Sequence, residues 1–320
     1  MRYLFKRKAF TMIELLFVIV ILGIVGGVAL EAVRQYYDGI YKTLATTKRV
    51  VEADHILDQL TKYFENAISS SIVNLDRGTT QDCYGPPVNG DNNDYTVAFI
   101  GVDADSLQGI GSRPGWSEEG QLIVGTNDIS MIDANLTMAN NIVTALYPTS
   151  NLANSALYDT DSADVNACTR FNLNNDVIGV IAGFHKLDGN ANPITSTLLR
   201  LNNDNNASHG HRKYLLRTGY AFRVLDDGNF VMYSNFRPWL GERYQGAGVA
   251  ATVKSSLLGQ NVAHFYADYD ATDFMNNDGV GDRGLIWRLK VCMRGFGNDL
   301  ADTDENAAQM CRERRVHVRY

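Results

Sequence analysis

Residues 6–26 read KRKAFTMIELLFVIVILGIVG, and this stretch decides how the chain is organised. Residues 1–9 carry four basic residues and no acidic ones: Arg2, Lys6, Arg7 and Lys8. From Leu15 to Leu30 the chain then has 16 consecutive uncharged residues. At ~1.5 Å per residue, an apolar helix over residues 10–30 is long enough to cross a hydrocarbon core of ~30 Å. The sequence therefore predicts a single membrane-spanning helix close to the N-terminus.

One carboxylate, that of Glu14, lies inside this apolar segment. A charged side chain in a membrane-spanning helix costs on the order of 2–3 kcal/mol even on the mildest insertion scale. A helix that served only as an anchor would gain nothing from that cost. The position of Glu14 therefore indicates that its carboxylate meets a partner within the membrane.

The string AFTMIELL, residues 9–16, resembles the prepilin signal of type IV pilins and type II secretion pseudopilins. The resemblance implies that a prepilin peptidase cuts between Ala9 and Phe10 and methylates the new amino group of Phe10. It also implies that Glu14 pairs with the Phe10 amine of a neighbouring subunit as a filament is built on an inner-membrane assembly platform. Most family members have Gly before the cut, where this chain has Ala9.

An ordinary signal anchor or a cleaved secretory peptide is the alternative. A secretory peptide has an apolar region of ~7–15 residues and then a cleavage site of small residues, which residues 23–29 could mimic. Neither alternative accounts for Glu14. The basic leader predicts a cytoplasmic N-terminus, with everything after residue 31 outside. The resemblance implies a single-pass protein of the bacterial inner membrane with a periplasmic head, which can pass into a periplasmic or extracellular filament.

Helical periodicity continues beyond the membrane segment. One apolar set is Val33, Tyr36, Tyr37, Ile40, Tyr41 and Leu44, and a second is Leu57, Leu60, Phe64, Ala67 and Ile68. No proline precedes Pro86, so one helix over residues 10–72 is predicted. In this prediction, residues 1–9 are a cleaved leader that precedes the helix. Residues 10–30 form the membrane half of the helix and residues 31–72 form its periplasmic half. An apolar stripe on the periplasmic half is expected to lie against a globular head.

Residues 73–320 are predicted to form this β-rich head. Residues 69–94 are expected to form a loop, and short apolar runs then alternate with turn residues. The predicted strands cover residues 95–100, 121–124, 177–181, 197–201, 220–225, 230–233, 262–269, 285–291 and 316–320. Asp226-Asp227-Gly228-Asn229 predicts a hairpin turn. Helix first and strands afterwards predict an α+β fold, a long helix packed on an antiparallel sheet as in pilins, with a large insertion at about residues 75–210.

The C-terminal third, from Leu257 to the strand that contains Trp287, resembles J-type minor pseudopilins and related minor pilins. Cleavage would leave 311 residues, a large subunit for a tightly packed filament. The resemblance implies a structural subunit at or near the filament tip that aids assembly initiation, with other pilin-like subunits as partners. The alternative is a tip adhesin, or a subunit that binds secreted substrate or DNA through residues 75–210.

The four cysteines are Cys83, Cys168, Cys292 and Cys311. An oxidising location outside the cytoplasm predicts that they form disulfides. Three pairings are possible, and we favour Cys292–Cys311, which closes a short loop, with Cys83–Cys168 as the remaining pair. A C-terminal disulfide loop is also common in pilins.

An acidic loop follows Asp268 and has part of the layout of a calcium site. Its candidate ligands are Asn276, Asp278 and Asp282, although the spacing does not match an EF-hand, and a turn-rich loop is the favoured interpretation. No other cofactor is indicated. No catalytic motif is present, so an enzyme is not predicted. The tryptophans Trp116, Trp239 and Trp287 are expected in the core.

Net charge argues against nonspecific binding to nucleic acid. The chain has 29 basic and 36 acidic residues; without the four basic leader residues, 25 against 36 gives −11. Such a balance disfavours a polyanionic partner. One local basic cluster is Arg312, Arg314, Arg315 and Arg319, which we interpret as a solvated edge strand.

Overall fold

The computed structural model describes residues 11–76, 95–107, 114–117, 119–123, 126–146, 151–159, 184–188, 193–202, 213–245, 252–269, 286–294 and 310–318. Its architecture is a long N-terminal apolar helix followed by a head of antiparallel β-sheets, which confirms the predicted α+β, pilin-like fold.

The first helix, α1 (Met12–Phe64), has 53 residues and is about 80 Å long at ~1.5 Å per residue. It ends eight residues before the predicted position 72. Beyond Phe64 the chain joins the edge of a sheet, because the amide of Val102 donates to the carbonyl of Asn66 and the amide of Ile68 donates to that of Ile100, both at 2.9 Å. Ala67 and Ile68 are buried as the periodicity requires, but from extended backbone. Because these two buried residues follow Phe64 at helical spacing, the sequence wrongly predicted a further helical turn.

Among the described residues, the main sheet has seven strands, all antiparallel. They are β1 (Val73–Asp76), β2 (Tyr95–Val102), β5 (Ala156–Asp159), β6 (Phe184–Lys186), β8 (Lys213–Val224), β9 (Phe230–Phe236) and β10 (Lys254–Gly259). The central strand β8 pairs with β2 along one edge and with β5 and then β9 along the other. The prediction of a loop over residues 69–94 is wrong for residues 73–76, which form β1 and pair with β2.

The hairpin between β8 and β9 confirms the sequence prediction. Gly228 has φ +84°, a conformation that a residue without a Cβ adopts readily. The amide of Gly228 donates to the carbonyl of Leu225, and the amide of Leu225 donates to that of Asn229, both at 2.8 Å.

Two three-stranded sheets and two short helices complete the described head. The C-terminal sheet has the order β11 (Val262–Tyr269), β12 (Ile286–Met293), β13 (Met310–His317). A small sheet contains β3 (Gly120–Leu122), β4 (Asp128–Met131) and β7 (Leu198–Arg200). The helices are α2 (Ala104–Leu107) and α3 (Leu136–Leu146), and 3-10 turns occur at Ser69–Ser71, Leu152–Asn154 and Pro238–Leu240. The predicted strand at residues 177–181 lies outside the described residues.

Side chains from the main sheet fill a core on each of its two faces. Phe99 and Phe222 belong to the core shared with α1 and the C-terminal sheet. Ala98 and Ile100, which flank Phe99 along β2, belong to the core shared with α3 and the small sheet. The three tryptophans are at most 1% exposed, which confirms their predicted place in the core.

Residues 75–210 therefore do not form an insertion beside a complete sheet. The strands β2 and β5 lie within that range and pair directly with β8. The small sheet and α3 cover the face of the main sheet that α1 leaves open. The sequence predicted the strand at residues 95–100 but missed the one at residues 156–159, and it did not show that either belongs to the main sheet.

Candidate functional site in the bare N-terminal helix

Helix α1 consists of two segments with opposite environments. In the segment from residue 53 to 64, five side chains are buried against the head: Ala53, Ile56, Leu57, Leu60 and Phe64. In the segment from residue 12 to 52 no residue is buried. The expectation that residues 31–72 lie against the head is thus wrong for most of residues 31–52. The head first meets the helix at the end of this segment, where the Gln260 amide donates to the half-buried Glu52 carboxylate at 3.5 Å. We call residues 12–52 the bare segment.

The described part of the candidate site begins at Thr11, which caps α1. The carboxylate oxygen Oε2 of Glu14 accepts hydrogen bonds from the Thr11 amide at 3.0 Å and from the Thr11 hydroxyl at 3.1 Å. This capping box satisfies backbone donors at the start of the helix and places a negative group at the positive end of the helix dipole. Glu14 remains exposed, so its carboxylate can accept a further donor from a neighbouring molecule.

The apolar residues that follow Glu14 have no partner within the described chain. Among the described residues, α1 is the one helix long and apolar enough to cross a membrane, and none of its most apolar stretch is buried. Residues such as Leu16, Phe17 and Ile19 are about 60% exposed. A water-soluble chain rarely exposes so large a continuous apolar surface. The surface fits lipid, and it also fits the apolar surface of other helices.

Comparison with known proteins agrees with this geometry. Residues 4–30 match the prokaryotic N-terminal methylation motif. That motif is the prepilin signature of type IV pilins and pseudopilins, and the chain carries it. No curated protein and no solved structure matches the chain.

Several predicted site residues lie outside the described residues. They are Ala9 and Phe10 at the expected cut, Cys83 and Cys168, and the candidate calcium ligands Asn276, Asp278 and Asp282. Their roles therefore stay predictions. Within the described residues, no group of three or more His, Cys, Asp or Glu side chains could hold a metal ion.

The structure joins Cys292 to Cys311 by a disulfide, with Cα atoms 4.0 Å apart. The two residues face each other across β12 and β13. Cys292 is buried and Cys311 is exposed, so the bond ties the edge strand to the body of the sheet. This arrangement agrees with the favoured pairing, which chemical mapping of the bonds can test.

The basic residues of β13 were expected to face solvent on an edge strand, but two of them lie beside acidic residues of α1. Arg314 pairs with Asp58 of α1, and Arg312 lies 3.9 Å from the carboxylate of Asp54. Acids four residues apart on a helix and arginines two apart on a strand both repeat at about 6–7 Å. That matching spacing was a signal in the sequence. Because all four side chains are well exposed, these pairs orient β13 on the helix more than they stabilise the fold.

A polar cleft of about 530 Å³ opens where α1 meets the main sheet. Its lining includes Gln59, Lys62, Tyr63, Asn66, Asp105, Arg217 and Tyr220. Arg217 pairs with Asp105, lies 3.7 Å from Asp103, and donates to the hydroxyl of Tyr220 at 2.8 Å. Burial raises the pKa of Asp103, and the nearby Arg217 guanidinium opposes part of that shift. Sequence reasoning missed the cleft because its walls come from three distant parts of the chain.

Proposed function

We propose that this chain is a minor pseudopilin or minor pilin, a structural subunit of a type II secretion pseudopilus or type IV pilus-like filament. The prepilin signature at residues 4–30, continuous with a helix that the head leaves bare, carries this proposal. The described part of the head alone has three β-sheets around two cores. A head of this bulk supports a place at or near the filament tip, where a subunit is not enclosed by neighbours on every side. There the subunit would help to initiate assembly.

In this proposal the basic leader stays in the cytoplasm and the head lies in the periplasm. A prepilin peptidase cuts between Ala9 and Phe10 and methylates the Phe10 amine. The bare segment holds the subunit in the inner membrane until an assembly platform passes it into the filament. The Glu14 carboxylate then forms an ion pair with the Phe10 amine of a neighbouring subunit. In a medium of low dielectric such an ion pair is much stronger than at a protein surface.

The experiment is replacement of Glu14 by Gln in the full chain, expressed with its filament partners. Membrane insertion should be unchanged or improved, because a carboxylate is removed from the span. Incorporation into the filament or tip complex should fall at least about tenfold, the effect of losing ~1.4 kcal/mol. Membrane fractionation and immunoblotting of sheared filaments measure the two quantities separately.

A matched control is Glu31→Gln, which removes a carboxylate from the same helix just beyond the apolar run. Glu31 accepts only a local hydrogen bond from Gln35 at 3.3 Å among its described contacts, so its loss should leave assembly intact. If Glu14→Gln assembled as well as this control, the proposed pairing of Glu14 would be wrong. The helix would then act as an anchor alone, or the subunit would cap the filament.

The polar cleft favours a second function, that of a tip adhesin or a subunit that binds secreted substrate or DNA. Its size falls in the range of small-ligand sites, and it combines tyrosine rings with charged and amide side chains. Deletion of residues 75–210 cannot test this function, because it would remove β2 and β5 from the main sheet. Lys62→Glu changes only an exposed side chain of the cleft. Loss of adhesion or uptake by this variant, with filaments intact, would support the second function.

A further inference from the structure

The bare segment carries a regular seam beyond the membrane. Six positions from residue 33 to 51 are separated alternately by four and three residues: Val33, Tyr37, Ile40, Leu44, Thr47 and Val51. This is the a/d spacing of a left-handed coiled coil, in which two helices bury one seam against each other. Val33, Tyr37, Leu44 and Val51 are each more than half exposed, so the described chain does not cover the seam.

The head cannot reach this seam. The buried residues of the head-bound segment, such as Ile56, Leu60 and Phe64, lie on a stripe that is roughly 180° around the helix from the seam, at ~100° per residue. Polar side chains of the bare segment, including Gln35, Lys42 and Arg49, occupy the head's side instead. The apolar face therefore changes sides of the helix where the head begins, and the seam faces away from the head.

The residues that flank the seam restrict what can pack there. With Tyr37 and Leu44 at position a, the e positions hold Arg34, Tyr41 and Lys48. The g positions hold three neutral residues: Tyr36, Thr43 and Val50. In a parallel coiled coil an e residue faces a g residue of the partner helix. Two copies of this chain would thus place their cations opposite neutral residues, with no acidic residue to attract them.

We infer that the seam binds a parallel helix of a different membrane-anchored subunit, one with apolar a and d residues and acidic g residues. Both helices would leave the membrane in the same direction, which makes a parallel arrangement the natural one. Acidic g residues would complement Arg34 and Lys48 and select the heteromeric pair over the homodimer. This inference rests on the proposed function, since it names the partner chemistry of a filament subunit.

Two synthetic helical peptides of three heptads test the inference against the full chain in detergent. Both have Ile at a and Leu at d; one has Glu at every g position, and the other has Lys there. Fluorescence anisotropy should show that the Glu peptide binds at least about tenfold more tightly than the Lys peptide, with an affinity that falls as salt rises. The double variant Arg34→Glu with Lys48→Glu should reverse this preference.

Two further variants locate the binding. Ile40→Asp, in the seam, should abolish binding of the Glu peptide, whereas Lys42→Asp, on the opposite side of the same helix, should retain at least part of it. Equal binding of both peptides, binding of neither, or survival of binding in Ile40→Asp would overturn the inference. So would a dimer of the full chain that sedimentation detects in detergent and that Ile40→Asp disperses, because the seam would then hold a second copy.

The proposed function can fail separately. N-terminal sequencing of the same preparation, expressed with a prepilin peptidase, shows whether the chain begins at Phe10. A chain cut before Phe10 that binds neither peptide would refute the seam and leave the filament role standing. A chain that retains its leader would count against the filament role, and the peptide preference would still decide the seam.

Discussion

The two segments of α1 belong to one continuous helix but differ in what surrounds their side chains. Residues 53–64 bury five apolar side chains in the head, and there each side chain contributes to folding. Residues 12–52 bury none, although they are the more apolar part, so their exposed apolar side chains are available to lipid and to other subunits. On the proposed function, the comparison separates residues that fold the head from residues that assemble a filament, and substitutions in the two segments should have different consequences.

The largest expected difference is between Leu60 and Leu44. Leu60→Ala would leave a cavity in a fully buried site and should lower the free energy of unfolding of the head by about 2–5 kcal/mol. Leu44→Ala, at a position that is 62% exposed, should change it by less than about 0.5 kcal/mol. Urea unfolding followed by tryptophan fluorescence measures both, because all three tryptophans lie in the head.

An equal loss of stability in the two variants would show that the head also packs on the bare segment. That result would remove the division of α1 on which this interpretation depends.

The disulfide lies on the folding side of the comparison. Replacing both Cys292 and Cys311 by Ser should lower the free energy of unfolding of the head by about 3 kcal/mol on the loop-closure estimate. It should leave insertion of the bare segment unchanged. Peptide mapping under non-reducing conditions identifies the pairing itself, and a Cys168–Cys292 or Cys83–Cys311 peptide would contradict it.

The smallest expected effect on the stability of the head comes from a matched pair of Gly→Ala substitutions, one in the head and one in the bare segment. A Cβ on Gly259 would lie 2.9 Å from Cγ1 of Ile56, so Gly259→Ala should cost about 1–3 kcal/mol as α1 is pushed off β10. A Cβ on Gly39 would meet nothing within 4 Å. Gly39→Ala should leave the stability of the head unchanged and improve local helix propensity by up to about 1 kcal/mol. Urea unfolding and circular dichroism check the pair.

Sequence reasoning predicted the elements whose information is local. The β8–β9 hairpin followed from Asp226–Asn229 and the alternating residues beside it, and the apolar first part of α1 followed from its uninterrupted apolar run. The strand β12 was predicted to within one or two residues at each end, because Ile286–Met293 alternates buried and exposed positions over most of its length. Each of these elements is determined by neighbours within a few residues.

The misses depend on contacts between distant residues. The end of α1 at Phe64 depends on hydrogen bonds that residues 66 and 68 form with residues 102 and 100, which no periodicity reveals. The place of β2 in the main sheet depends on pairing with β8, more than 100 residues away. At the candidate site, the prediction for Glu14 came from its isolation in the apolar run. The cleft beside Arg217 was not predicted, because folding alone brings its residues together.

The central claim is that residues 1–30 act as a prepilin signal, and the mass of the processed chain tests it most directly. Coexpression with a prepilin peptidase should yield a protein that lacks residues 1–9 and carries one methyl group on the amine of Phe10. Ala9→Leu should block the cut, since the family's peptidase reads a small residue there. Retention of Met1 in the unaltered chain, or a cut near Ala29 as in a secretory peptide, would contradict the claim.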